Sequence, residues 1–206
     1  MTSVLPTRDA RREALLAAAD LVVQRDGASA SMAAIAAEAG ITKPILYRHF
    51  GDKSGLYAAL AERHTDRLLD ALVTALTAGG SPHERVLRTI DTYLAVLEAE
   101  PQVYRFLLQS EEAAPLHGQV RGFLRRLQEL LAAGIAHELR LPADDLRAVV
   151  WGAGIVGMVQ AAGDRWLETR DCGRAELGAL LTDLLWGAYG TAAGGGGGLT
   201  GNPQVN

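Results

Sequence analysis

Between Ser31 and Lys53 the chain reads SMAAIAAEAGITKPILYRHFGDK, and here residue types and spacing carry the most chemistry. Lys43, Arg48 and Lys53 bring positive charge suited to phosphate, and the Arg48 guanidinium can grip a guanine through two hydrogen bonds. Ser31 is placed to cap a helix over 32–39, Gly40 closes it in an Ala39-Gly40-Ile41 turn, and Thr42 starts a second helix over 43–49. Two short helices joined by a tight glycine-containing turn make a helix-turn-helix, whose second helix fits a DNA major groove about 12 Å wide. On that second helix Leu46 and Phe50, four apart, point inward, while Pro44, Ile45, Tyr47 and Arg48 fall on the opposite arc. Pro44 takes the second helical position, where its missing N–H costs no hydrogen bond, and the Thr42 side chain is expected to cap the N–H of Ile45. At 1.5 Å per residue, Lys43 to His49 spans roughly 10 Å, so one copy reads few base pairs. Tyr47 and His49 are residue types that also serve packing, and His49 can equally sit partly buried beside Phe50.

Two stretches, RREALLAAADLVVQRDG and MAAIAAEAGITKPILYRHFGDKSGLYAAL, resemble the tetracycline-repressor family of bacterial transcription regulators. That family shows an Ile-Ala…Ala-Gly-Ile/Val-Ser/Thr…Leu-Tyr-x-His-Phe…Lys-x-x-Leu pattern. The resemblance implies that Thr42, Lys43, Pro44, Ile45, Tyr47, Arg48 and His49 lie at the DNA, approaching bases or phosphates, and that Lys53 meets a phosphate from the start of the next helix. It also implies a homodimer on a palindromic duplex, the last two long helices forming a four-helix bundle with their counterparts. Pro44 stands where many relatives have glycine, and Ile45 and Arg48 are this chain's own, so no particular operator is implied.

Other chemical patterns are weaker. Gly152-Ala153-Gly154-Ile155-Val156-Gly157 fits G-x-G-x-x-G, which makes a flavin- or nicotinamide-binding oxidoreductase the rival reading, but the second strand ending in an acid that such a site requires is missing. Gly51-Asp52-Lys53-Ser54 has Asp52 where a phosphate loop needs lysine. No G-x-S-x-G or H-E-x-x-H occurs. His64 and Asp66, two apart on a helix, face different ways and are expected at a solvated surface. His83, His117 and His137 show no local metal pattern, and a lone Cys172 excludes an intrachain disulfide. The expectation is a protein that is not an enzyme and holds no cofactor or metal; a third alternative is an all-helical interaction module whose helix-turn-helix serves packing.

The elements that must hold the motif are helical from end to end. No stretch alternates with period two as a strand does, so the fold class is all-α with about nine helices: a three-helix head and a larger body. Helices are expected near 8–26, 32–39, 43–49, 53–77, 82–99, 101–110, 115–139, 142–168 and 173–191. The first places Leu15, Ala18, Ala19, Val22 and Val23 on one face and stops at Gly27; Ser81-Pro82-His83-Glu84 is a capping box with proline in the first turn. The domains expected are 1–50 for DNA, 51–191 for ligand sensing and dimerisation, and a flexible Gly-rich tail over 192–206.

Within the body Tyr93, Leu97, Tyr104, Phe106, Phe123, Leu127, Trp151, Ile155 and Met158 supply bulky side chains for an apolar ligand pocket, with Gln109, His117, Arg121 and Gln160 as polar groups able to orient a ligand. Ala153, Gly157 and Ala161 recur every four residues and let helices approach closely; with Leu177, Leu181, Leu184 and Leu185 they are the dimer-interface candidates. Of the 206 residues, 49% are hydrophobic and 21% charged, ordinary for a globular protein. The formal charge of −4 hides an asymmetry: residues 1–53 hold seven Lys/Arg against six Asp/Glu, leaving a neutral-to-basic head on an acidic body. No uninterrupted apolar stretch approaches the roughly 18–20 residues of a membrane span, and Met1–Arg12 lacks the apolar segment of a signal peptide, so the expected address is the cytoplasm, with no membrane partner. Taken together, these features point to a repressor released from its operator by a small apolar effector.

Overall fold

Local punctuation sets the helix ends. The computed structural model describes residues 7–109 and 114–194, with the backbone alone for Ala28, Leu108, Gln109, 114–117 and 188–194. Among the described residues there are nine α-helices and no strand: α1 (Arg8–Asp26), α2 (Met32–Glu38), α3 (Lys43–Phe50), α4 (Lys53–Thr77), α5 (Pro82–Ala99), α6 (Pro101–Gln109), α7 (Ala114–Leu139), α8 (Leu146–Thr169) and α9 (Arg174–Gly194). Thr7, Ser31 and Asp145 each accept a hydrogen bond from a backbone N–H of the first turn of α1, α2 and α8. The expected capping box is present: the Ser81 N–H donates to Glu84 Oε2 at 2.7 Å, and the Glu84 N–H donates back to Ser81 Oγ at 3.3 Å. Gly51 takes φ +81° and donates its N–H to the Tyr47 carbonyl, turning the chain sharply between α3 and α4.

Two boundaries differ from expectation by more than one residue. The segment at Pro142 is a turn, with the Asp145 N–H donating to the Pro142 carbonyl, so α8 begins at Leu146. At the other end α9 runs to Gly194, past the expected start of the tail at Ala192. The remaining tail, 195–206, lies outside the described residues.

The chain divides into two compact units, one formed by residues up to Leu72 with Ala95–Leu127, the other by Val73–Leu94 and everything from Gln128. In the first, the expected face of α1 is buried together with Met32, Ile35 and Ala36 of α2, Leu46 of α3, and Leu56, Tyr57 and Leu60 of α4. Its core is completed by Val103, Phe106 and Leu107 of α6, far beyond residue 50. Phe106 packs edge-on against Tyr57 with ring centroids 4.7 Å apart, and the Tyr57 hydroxyl donates to the Ala30 carbonyl. In the second unit α8 crosses α7 closely: a Cβ on Gly152 would stand 2.8 Å from the Gln128 carbonyl oxygen and 3.0 Å from the Ala132 nitrogen, so only glycine permits the approach. Arg88 of α5 donates to the carbonyls of Ala75, Ala78 and Gly79, satisfying the open end of α4.

Candidate nucleic-acid interface

The second helix of the motif is held by its inward residues. Leu46 is fully buried and Phe50 packs partly buried on the same core, while the Arg12 guanidinium of α1 lies 5.3 Å from the Phe50 ring centroid. A Cβ on Gly55 would collide with the Phe50 carbonyl oxygen at 2.0 Å, so the first turn of α4 fits against the end of α3 only as glycine. Asp52 caps that turn by accepting from the Gly55 N–H at 2.7 Å. Lys53 therefore starts α4 in a defined place, its ammonium 5.3 Å from the Tyr57 ring. Burial pushes the Tyr57 phenol up from its ordinary range.

Outward, α3 presents Thr42, Lys43, Pro44, Tyr47 and Arg48 to solvent, Tyr47 with 40% of its surface exposed. Ile45 and His49 are half-buried. His49 does stand beside Phe50, ring centroids 6.4 Å apart, and it also edges an open concavity with Ile45 and Arg48. The expected Thr42 cap is absent: its side chain makes no capping hydrogen bond, and the N–H of Ile45 and of Leu46 both donate to the Thr42 backbone carbonyl. Sequence reasoning also missed Arg8 and Arg11, which α1 brings to that same concavity. Their signal was the three-residue spacing at the head's basic start.

His64 corrects another expectation. It is not a solvated surface residue: it is largely buried, its Nε2 2.6 Å from Asp20 of α1 and its Nδ1 3.3 Å from Glu100, with Arg63 3.5 Å from the second Asp20 oxygen. Asp66 is exposed, as expected, 3.7 Å from Arg126. Among the described residues no group of His, Cys, Asp or Glu is arranged to hold a metal ion.

Residues 14–60 match the model for "Bacterial regulatory proteins, tetR family", and residues 71–199 match "Tetracyclin repressor-like, C-terminal domain". The chain belongs to the tetracycline-repressor family. The family is one of transcription regulators rather than enzymes, and the glycines of the rival dinucleotide motif lie inside α8, with no strand before them among the described residues. A curated relative is an uncharacterised HTH-type transcriptional regulator of Mycobacterium tuberculosis, 31% identical over 180 residues that cover 86% of this chain and 76% of the relative. The HTH-type transcriptional activator FasR of Mycolicibacterium smegmatis is 33% identical over 107 residues, 52% of this chain and 49% of FasR. Among solved structures, a tetR-family transcriptional regulator from Streptomyces coelicolor superposes with a TM-score of 0.73 at 23% identity, covering 94% of this chain and 87% of that one. The regulator FadR from Bacillus subtilis, solved in complex with stearoyl-CoA, superposes with a TM-score of 0.67 at 15% identity, covering 84% and 96%.

In this family member the other sequence-derived residues fall as follows. Leu97, Tyr104, Phe106, Phe123 and Leu127 belong to the first compact unit; Tyr93, Trp151, Ile155 and Met158 belong to the second. Phe106 is a packing residue of the head, committed to Tyr57, and Leu97 is fully buried. Trp151 and Ile155 pack partly buried on a small α7–α8 core of Ala132, Ile135, Ala136 and Ala148. The side chains of Gln109 and His117 lie outside the described residues. On α8 Ala153, Gly157 and Ala161 are exposed, and on α9 Leu184 is 60% exposed with Leu177 and Leu185 half-buried. Leu181 differs, being 6% exposed; the exposed leucine one residue before it is Leu180, at 57%. The helix turns Leu181 onto its own unit, so it is core rather than free surface.

Proposed function

We propose that this protein is a homodimeric, sequence-specific regulator that binds a palindromic operator through α3 and the start of α4, with a body that senses a largely apolar small molecule and releases the DNA. The observation that carries the reading is the arc of α3: Lys43, Tyr47 and Arg48 face outward from a helix whose Leu46 is fully buried, in a segment matching the family's DNA-binding model. Lys43, Arg48 and Lys53 supply phosphate charge.

The exposed apolar side of the body supports dimerisation. Val150, Ala153, Gly154 and Gly157 of α8 and Leu180 and Leu184 of α9 are uncovered in a single copy. By length and composition alone α8 passes for a membrane span, with a mean hydropathy of 1.3 and only 28% of that window buried; a second copy covering its outer face accounts for the same composition. A dimer also gives two short recognition helices, enough to read a site that one cannot. The address that suits this work is the cytoplasm.

An effector lodged in the body favours the conformation whose two heads no longer fit the half-sites, and it does so only by binding that conformation more tightly. An acyl or other lipid-like ligand suits the body's aromatic and aliphatic residues, and FadR, of the same fold, is a precedent for an acyl thioester. Selecting bound fragments from the source genome tests the DNA reading, followed by a Tyr47→Ala, Lys53→Ala double variant. The variant should lose binding to all sequences, and undiminished operator affinity in the folded variant would remove it. A panel of fatty acids, acyl thioesters and aromatic hydrophobes titrated against the complex tests the effector; release by strongly polar compounds alone would overturn the apolar class. A promoter reporter settles the sign, repression being expected, with activation, the role named for FasR, as the opposing result.

A further inference from the structure

Arg8 and Arg11 stand close together on the exposed first turn of α1 and, with Ile45, Arg48 and His49 of α3, line an open concavity of about 450 Å³. Three guanidiniums around one concavity repel one another, and surface cations usually have carboxylates close by. Here, among the described residues, none of the three makes an ion pair, whereas Arg25 is paired with Asp26 and Glu38. Asp9, between Arg8 and Arg11 in sequence, makes no ion pair with either, and the next acids of α1 are engaged elsewhere, Glu13 toward Arg63 and Asp20 toward Arg63 and His64. The placement is also held firm, because Arg12 on the next turn stacks over Phe50 and ties the start of α1 to the end of α3.

We propose that Arg8, Arg11 and Arg48 form a clamp for a phosphodiester of the DNA backbone, which makes α1 part of the DNA surface alongside α3. The clamp rests on the DNA-binding reading above. Guanidinium forks match the oxygens of a phosphate in pairs, and three of them around one concavity can neutralise its charge together. Backbone contacts position a protein on the duplex and carry no base information, so the clamp sets where α3 sits rather than what it reads. A site bound this way extends past the bases under α3 to the neighbouring phosphates.

The test uses the full chain and duplexes selected from the genome. An Arg8→Gln, Arg11→Gln variant should bind operator and random duplex alike about tenfold more weakly at low salt, with a log-log salt slope shallower by roughly 0.9 for each phosphate left without its cation. Arg8→Lys, Arg11→Lys should recover most of the slope, since the charge is kept. Methylphosphonate linkages placed one at a time through the site should reveal a position that weakens the wild-type protein and leaves the Gln variant indifferent. Unchanged affinity and slope in a folded Gln variant, while Tyr47→Ala, Lys53→Ala still abolishes binding, would overturn the clamp and spare the helix-turn-helix. Loss of pyrophosphate binding by calorimetry without any loss on DNA would also overturn it, assigning the concavity to a small free anion. A wild-type protein that binds no duplex at all would remove both.

Discussion

The two units of this regulator leave opposite kinds of group without partners. In the head most apolar residues are spent on one core, from Leu15 to Phe106, with Leu21 an exposed exception, and what stands uncompensated at the surface is charge: Arg8, Arg11, Lys43 and Arg48. In the body most arginines are paired. Arg174 pairs with Asp91, Arg85 with Glu138, Arg147 with Asp145 and Arg165 with Asp171, while Val150, Leu180 and Leu184 stay exposed. Unpaired cations call for a polyanion, and uncovered apolar helices call for more apolar surface. The net charge of −4 would have hidden this, because the groups that matter are the unmatched ones and not the sum.

The largest effect expected is on the body's bare face. Gly157→Asp introduces its charge twice in a symmetric dimer, at a cost of several kcal/mol per buried ion, so sedimentation should report folded monomers with greatly reduced operator affinity. Leu184→Asp should act the same way. Leu181→Asp should instead unfold the protein, because Leu181 faces its own core. A folded dimer for both Gly157→Asp and Leu184→Asp would break the comparison by placing the interface elsewhere.

Next comes Phe106→Ala, expected to cost about 3–5 kcal/mol of unfolding free energy by emptying the space against Tyr57. If Phe106 belongs to the head, the loss should appear in DNA binding of the destabilised protein and leave ligand affinity unchanged in the fraction still folded. A change in ligand affinity without a change in stability would return Phe106 to the sensing role.

What was legible in the sequence follows from how local its cause is. The spans 8–26, 53–77 and 82–99 could be read because a cap, a proline or a glycine marks each end within one turn. The turn at Pro142 was missed because proline followed by two acids reads equally as a helix start, and only the cap from Asp145 to the Arg147 N–H decides it. The outward arc of α3 was readable because all its residues lie on one short helix. Phe106, His64 and Arg8 were not, since each takes its role from partners on other elements; Asp20 lies 44 residues from His64. The exposed small residues on α8 followed from four-residue spacing, but on α9 apolar residues occur all round, and spacing could not separate Leu181 from Leu180 and Leu184.

A smaller effect is expected at that hidden His64 cluster. Asp20→Ala removes the hydrogen-bond partner of the largely buried His64 Nε2 and the negative charge 3.5 Å from Arg63, a loss of about 1–3 kcal/mol. Hydrogen exchange should show α1 and α4 opening more often while the α7–α8 core keeps its protection. Equal loosening in both units would show that the head's stability is not held locally.

The smallest effect concerns the helix starts. Hydrogen bonds from the Ser81 backbone and hydroxyl hold the Glu84 carboxyl below its ordinary value of 4.5, and hydrogen bonds from Arg147 hold Asp145 below 3.8. A carboxyl whose value is lowered by folding stabilises the native state fully above its unfolded value, and that stability is lost as pH falls from there through the folded value. Thermal denaturation followed at pH 7 and then downward from about pH 4.5 should therefore show Glu84→Gln slightly less stable than wild type at neutral pH and the gap closing in acid. Both carboxyls lie at the surface, so water and salt screen them and the gap should be small. Both also belong to the second unit. A gap that stays constant through the acid range would mean that the Gln side chain disturbs the first turn of α5 by its shape, and that the carboxylate charge contributes nothing there.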